Sequence, residues 1–137
     1  MPKIFRAMRG IDGKPQLGAS ASTLGVRPTD ISADEAGLVR PGDGGMSVSD
    51  ALVNLPRQLI PKRLGHLAPR ARAKKNVQVW KFGAGEFVDA MLTSELSLIV
   101  DKPTHALVSP ASQMKFDRYL IALHSTQNNW VVDESGD

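Results

Sequence analysis

The chain has 137 residues, 42% of them apolar and 23% charged, which suits one globular domain with a real core. It has no cysteine, which excludes a disulfide framework, a thiolate nucleophile and a cysteine-based zinc site. The net charge of +3 is compatible with an anionic partner without demanding one, and an aromatic share of 5% argues against base stacking as the main activity.

Ile4 to Met8 reads as a first strand, closed by the turn Gly10-Ile11-Asp12-Gly13-Lys14-Pro15. Ser20 to Leu24 is expected to form a short helical turn stopped by Gly25. Val26 to Gly45 is rich in Pro, Gly and Asp and reads as mostly irregular. It ends in Pro41-Gly42-Asp43-Gly44-Gly45, which opens into a second strand at Met46-Ser47-Val48-Ser49. Such glycines allow positive φ and close backbone approach, and the two serines share one face of a strand. A small-molecule site and an ordinary tight turn with solvated serines both fit that arrangement.

Pro56 and Pro61 rule out a continuous helix between Ala51 and Leu67. A basic connector follows: Lys62, Arg63, Arg70, Arg72, Lys74 and Lys75, with His66 among them. It reads as a solvated loop, as a phosphate-contacting patch for nucleic acid, or as a docking surface for an acidic protein. Its long charged side chains should be exposed.

Val77 to Phe82 alternates apolar and polar residues as a strand. Leu96 to Val100 and Thr104 to Ser109 are two more, split by the turn Asp101-Lys102-Pro103. Ser112 is the expected N-cap of a last helix from about Gln113 to Gln127. Its apolar face is Phe116, Leu120 and Leu123, flanked by Met114, Tyr119 and Ile121. Trp80 and Trp130 read as core anchors and His124 as a surface residue near the helix C-terminus.

His66, His105 and His124 lack metal-binding spacing, so no metal site is expected. There is no internal repeat and no βαβ alternation. The pattern indicates one α+β domain over residues 1–137 with a mixed or antiparallel sheet. The amino terminus lacks a signal-peptide core and no segment is long enough to span a membrane, so a cytoplasmic protein is expected, exported if at all by a leaderless route.

Three separated pieces share one likeness: the first strand ending Phe5-Arg6-Ala7-Met8; Gly44-Gly45-Met46-Ser47-Val48-Ser49 with Asn54-Leu55-Pro56; and Thr104-His105-Ala106-Leu107-Val108-Ser109-Pro110-Ala111 leading into the last helix. In this order they resemble the type VI secretion effector toxins with an ADP-ribosyltransferase-like fold. Leu17-Gly18-Ala19-Ser20-Ala21 and Leu24-Gly25-Val26-Arg27 extend the resemblance, which omits about residues 66 to 95.

The resemblance implies a bacterial toxin that binds NAD as a substrate and acts in the cytoplasm of a target cell, with a cognate immunity or antitoxin protein as partner and no membrane partner. Carried over by position, Arg6 is the phosphate-binding arginine, Ser47 and Ser49 the ribose-positioning hydroxyls with Gly45 at the rim, and His105 with Ser47 the catalytic pair. The three motifs are then expected at one cleft. The sequence departs from the superfamily at the third motif: no Glu or Asp lies between Thr104 and Met114, and His105 stands where a catalytic glutamate is usual. That departure puts ordinary ADP-ribosyl transfer in question. The alternative is a basic nucleic-acid-binding or nuclease-type toxin domain using residues 62–75.

Overall fold

The computed structural model describes residues 1–73 and 76–136; Lys74 and Lys75 of the basic run lie outside the described residues. The alternating and β-branched segments all form strands. These are β1 (Ile4–Ile11), β2 (Lys14–Pro15), β3 (Leu38–Val39), β4 (Met46–Ser49), β5 (Val77–Phe82), β6 (Ala90–Met91), β7 (Leu96–Lys102), β8 (His105–Pro110), β9 (Met114–Lys115) and β10 (Val131–Val132). The main sheet runs β10-β5-β1-β4-β8-β7-β6, with β2 folded back on β1 and β3 paired with β9 apart from it. Every strand pair named here is antiparallel. The result is an α+β fold dominated by its sheet.

Local chemistry sets the turns. Asp12 and Gly13 have φ of 51° and 77°, the pair of left-handed residues that a two-residue hairpin loop between β1 and β2 requires. Gly45 has φ of 149°, and a Cβ there would lie 2.5 Å from the Val108 carbonyl oxygen. Only glycine lets β4 start so close to β8.

Both faces of the sheet are covered. On one, Ile4, Met8, Met46, Val48, Leu98, Ala106 and Val108 pack under the helix α1 (Phe116–His124), which contributes Tyr119, Ala122 and Leu123. On the other, Phe5, Ala7 and Val79 pack against Leu52, Leu55, Ile60, Leu64 and Ala68 from the segment 51–73. That segment forms three 3-10 turns, Leu52–Asn54, Arg57–Leu59 and Lys62–Leu64, two of them entered through Pro56 and Pro61. The prolines forbid a long helix, and the apolar residues between them pin each short turn to the sheet.

The structure corrects four local expectations. Ser20 to Leu24 is a run of bends and turns rather than a helical turn, since its carbonyls are drawn toward Arg6. The last helix spans Phe116–His124, not 113–127, because residues 114–115 pair with β3 as a strand. Lys115 rather than Ser112 is the N-cap, and it makes no side-chain cap. The buried stripe of the helix centres on Tyr119, Ala122 and Leu123, while Ile121 is exposed.

His124 is half-buried, with Nε2 3.0 Å from the Gly18 carbonyl oxygen, and so is a tether rather than a surface residue. Trp80 and Trp130 are core residues, each with its indole N–H satisfied, by the Met8 carbonyl and the Thr126 hydroxyl respectively. Among the described residues no helix is long and apolar enough to cross a membrane.

Candidate functional site

The site begins where two central strands part. The ladder between β1 and β4 contains one residue pair, Phe5 opposite Ser49. Alternation sends Arg6 to the helix side with Ile4 and Met8, and Ser47 to the opposite side from Met46 and Val48. A closed ladder would keep the two side chains apart. The open one leaves a gap, and the Arg6 guanidinium fills it.

Arg6 is 6% exposed and donates five hydrogen bonds to backbone carbonyls. Nε donates to Thr23 O at 3.1 Å, Nη1 to Ser47 O at 2.8 Å, and Nη2 to Thr23 O, Ser20 O and Gly25 O at 3.0–3.1 Å. The planar fork thus joins β1, β4 and the loop 20–25, taking the place of missing ladder bonds. With five bonds to backbone and little exposure, Arg6 is a buried cation of the sheet rather than a solvated side chain. Burial pulls the Arg6 pKa down to about 10, against the opposing pull of the Asp30 carboxylate, and the group stays charged at neutral pH.

Beside this guanidinium is a cleft of about 330 Å3. Arg6, Met46 and Ser47 form its floor, Ala21, Arg27 and Asp30 one wall, and Pro56, Gln58 and Leu59 the other. Asp30 holds Arg27 at the mouth through a two-pronged pair at 2.9 and 3.1 Å. Burial is the largest single influence on Asp30 and raises its pKa. The hydrogen bonds from Arg27, with the charges of Arg27 and Arg6, together outweigh it and keep the carboxyl below its usual range. Ser47 is exposed to the cleft.

The other expected site residues are placed differently. Ser49 is buried and its hydroxyl donates to the Asn54 carbonyl at 3.3 Å, anchoring the first 3-10 turn. Gly45 is buried beneath Tyr119, whose hydroxyl accepts from the Met46 N–H at 3.1 Å and donates to the Val108 carbonyl. Neither lines the cleft.

His105 lies opposite Ser49 on β8, on the same sheet face as Ser47, to which it is a diagonal neighbour at about 7–8 Å. It does not line the cleft either. Its Nδ1 is 2.6 Å from Asp101 Oδ1 across the β7–β8 turn. The structure therefore brings Arg6 and Ser47 to one cleft and leaves His105 on an adjoining part of the same face.

Arg27, Asp30 and Gln58 are site residues that sequence reasoning passed over. Arg27 and Asp30 frame Pro28-Thr29, a capped turn whose carboxylate accepts from the N–H three residues back, and that spacing was the available signal. Among the described residues no cluster of His, Asp and Glu could hold a metal ion. No known protein family, curated protein or solved structure matches this chain.

Proposed function

We propose that this chain is a toxin domain of the ADP-ribosyltransferase-like kind, binding NAD at the cleft between β1 and β4. The carrying observation is that Arg6 and Ser47, 41 residues apart in sequence, line one cleft on neighbouring central strands, with the strand of His105 next in order.

The chemistry of the cleft suits a phosphate-linked ribose. Arg6 uses one Nη1–H on the Ser47 carbonyl, leaving its second Nη1–H and its full positive charge for a phosphate oxygen. The Ser47 hydroxyl can bond a ribose hydroxyl, and the Gln58 amide on the far wall offers a donor and an acceptor to a carboxamide. A volume of about 330 Å3 holds the nicotinamide-ribose half of the dinucleotide, with the adenosine half lying along the open mouth beside Arg27.

His105 has the Asp101 carboxylate on Nδ1, which orients the ring. That pair supplies a carboxylate behind an imidazole where the superfamily's third motif ordinarily brings a carboxylate directly. A neutralising protein acting on this domain would cover the cleft mouth at Arg27, Asp30 and Ser47.

The test is calorimetric titration with NAD on the full chain and on Ser47→Tyr, an exposed position where a ring fills the cleft without disturbing the core. Saturable binding in the wild type, lost in Ser47→Tyr, is expected, together with growth arrest on induced expression that the same variant relieves. Wild-type protein that takes up no NAD at millimolar concentration would overturn the reading.

A further inference from the structure

Between Asp50 and Glu86 the chain contains no acidic residue but eight Lys and Arg: Arg57, Lys62, Arg63, Arg70, Arg72, Lys74, Lys75 and Lys81. All fourteen Asp and Glu lie elsewhere, so the small net charge hides a strongly basic stretch in an otherwise acidic sequence; its described cations form a basic cap over the segment 57–73. The carboxyl-terminal strap neutralises two of the eight. Glu134 accepts from Arg63 at 2.8 Å and Asp133 pairs with Lys81 at 3.1 Å. Arg57, Lys62, Arg70 and Arg72 are exposed and have no ion-pair partner among the described residues.

Arg57, Lys62 and Arg70 border two clefts that lie on either side of residues 60–61, and Arg72 is exposed on the same segment. Pro61, Lys62, Arg63, Asn76 and Gln78 line a polar cleft of about 470 Å3. Leu55, Ile60, Leu67 and Ala68 line a second of about 470 Å3, flanked by Arg57 and Arg70. Ile60 lines one and Pro61 the other, so the clefts are one residue apart.

We infer that this cap binds single-stranded nucleic acid, independently of the NAD cleft. The ligand supplies both kinds of group the surface can hold: an anionic phosphate for the polar cleft, and a flat base for the apolar cleft bordered by Arg57 and Arg70, since guanidinium groups stack on bases. Protein-docking surfaces keep charge, and lysine above all, out of their centre and place it at the rim. Here Lys62 lines the polar cleft itself. With no exposed aromatic at either cleft, the contacts follow the backbone and carry little sequence preference.

Fluorescence anisotropy of the full chain with labelled 12-nucleotide RNA and DNA single strands tests this. Four phosphate contacts predict roughly a 50-fold loss of affinity between 50 and 200 mM salt, from a slope of about 0.7 per contact. The variant R57Q/R70Q/R72Q, altered only at exposed side chains, should retain its circular dichroism spectrum, bind at least about 10-fold more weakly at 50 mM salt, and show a slope reduced by about 2. Ser47→Tyr should bind oligonucleotide as the wild type does, which separates this site from the NAD cleft.

Absence of saturable binding at 50 mM salt, an unchanged slope in the triple variant, or duplex bound as tightly as single strand would each overturn the inference. Competition by polyglutamate as effective as by oligonucleotide would assign the cap to an acidic protein instead.

Discussion

Replacing Arg6 by Met removes the guanidinium while keeping an unbranched apolar stem of similar reach. Five hydrogen bonds vanish at once. Each bond to a charged group is worth about 1.5–3 kcal/mol. Against their sum stands the cost of burying the cation, which the fall of its pKa to about 10 puts on the order of 3 kcal/mol. Ser20 is only partly buried and Ser47 borders the cleft, so their carbonyls can turn to water, whereas Thr23 and Gly25 are buried. The net loss should be about 3–5 kcal/mol, in the range found when one side of a buried charged network is deleted. That is a large part of the about 5–15 kcal/mol that holds a domain together. Urea denaturation followed by circular dichroism measures it, with a lowered midpoint and an unchanged slope, and thermal melting should show a drop of about 10–15 °C. Arg6→Lys keeps the charge without the fork and should fall between wild type and Met. A Met variant within about 1 kcal/mol of wild type would refute the reasoning, because the carbonyls would then have partners of their own.

Gly45→Ala forces a Cβ against the Val108 carbonyl at 2.5 Å with φ at 149°, and should cost about 2–4 kcal/mol by urea titration. Tyr119→Phe strips the Met46 N–H of its buried acceptor and should cost about 1–3 kcal/mol, visible as a lower melting temperature. Burial raises the Tyr119 pKa, so its phenol should show no ultraviolet ionisation below pH 10 in the folded protein. Asp30, Asp34 and Asp133 have folded pKa values held below their unfolded ones. Their stabilisation is therefore complete above about pH 4 to 5 and is lost as pH falls through the folded values. Stability measured at pH 6 and pH 3 should differ, and Asp30→Asn should shrink that difference.

The strands were legible because their signal is local. Val77 to Phe82 and Met46 to Ser49 carry alternation bounded by turn residues, and both form strands over those bounds. Ser20 to Leu24 misleads because what orders it is remote: Arg6 takes its carbonyls, and no propensity within five residues encodes that. The helix start misleads for a similar reason, since the competing partner of residues 114–115 is Leu38–Val39, more than seventy positions away. At the candidate cleft, Arg6 and Ser47 were named together through the resemblance, and the structure puts them on neighbouring central strands. Period-two alternation alone would have put their side chains on opposite faces. Only the single-pair ladder between β1 and β4 allows them to meet, and ladder length is a property of tertiary packing.

The same gap ties the cleft to the stability of the sheet. Arg6 holds β1, β4 and the loop 20–25 together by donating to backbone rather than to side chains, so substitutions at Ser20, Thr23 or Ser47 leave its acceptors in place. The cleft floor is thus insensitive to the chemistry of the residues that line it and sensitive to the one arginine that spans it. A ligand that takes the remaining Nη1–H adds a partner to a group already fixed in position. Little side-chain entropy would be left to lose on binding, because the fold alone sets the orientation of the guanidinium.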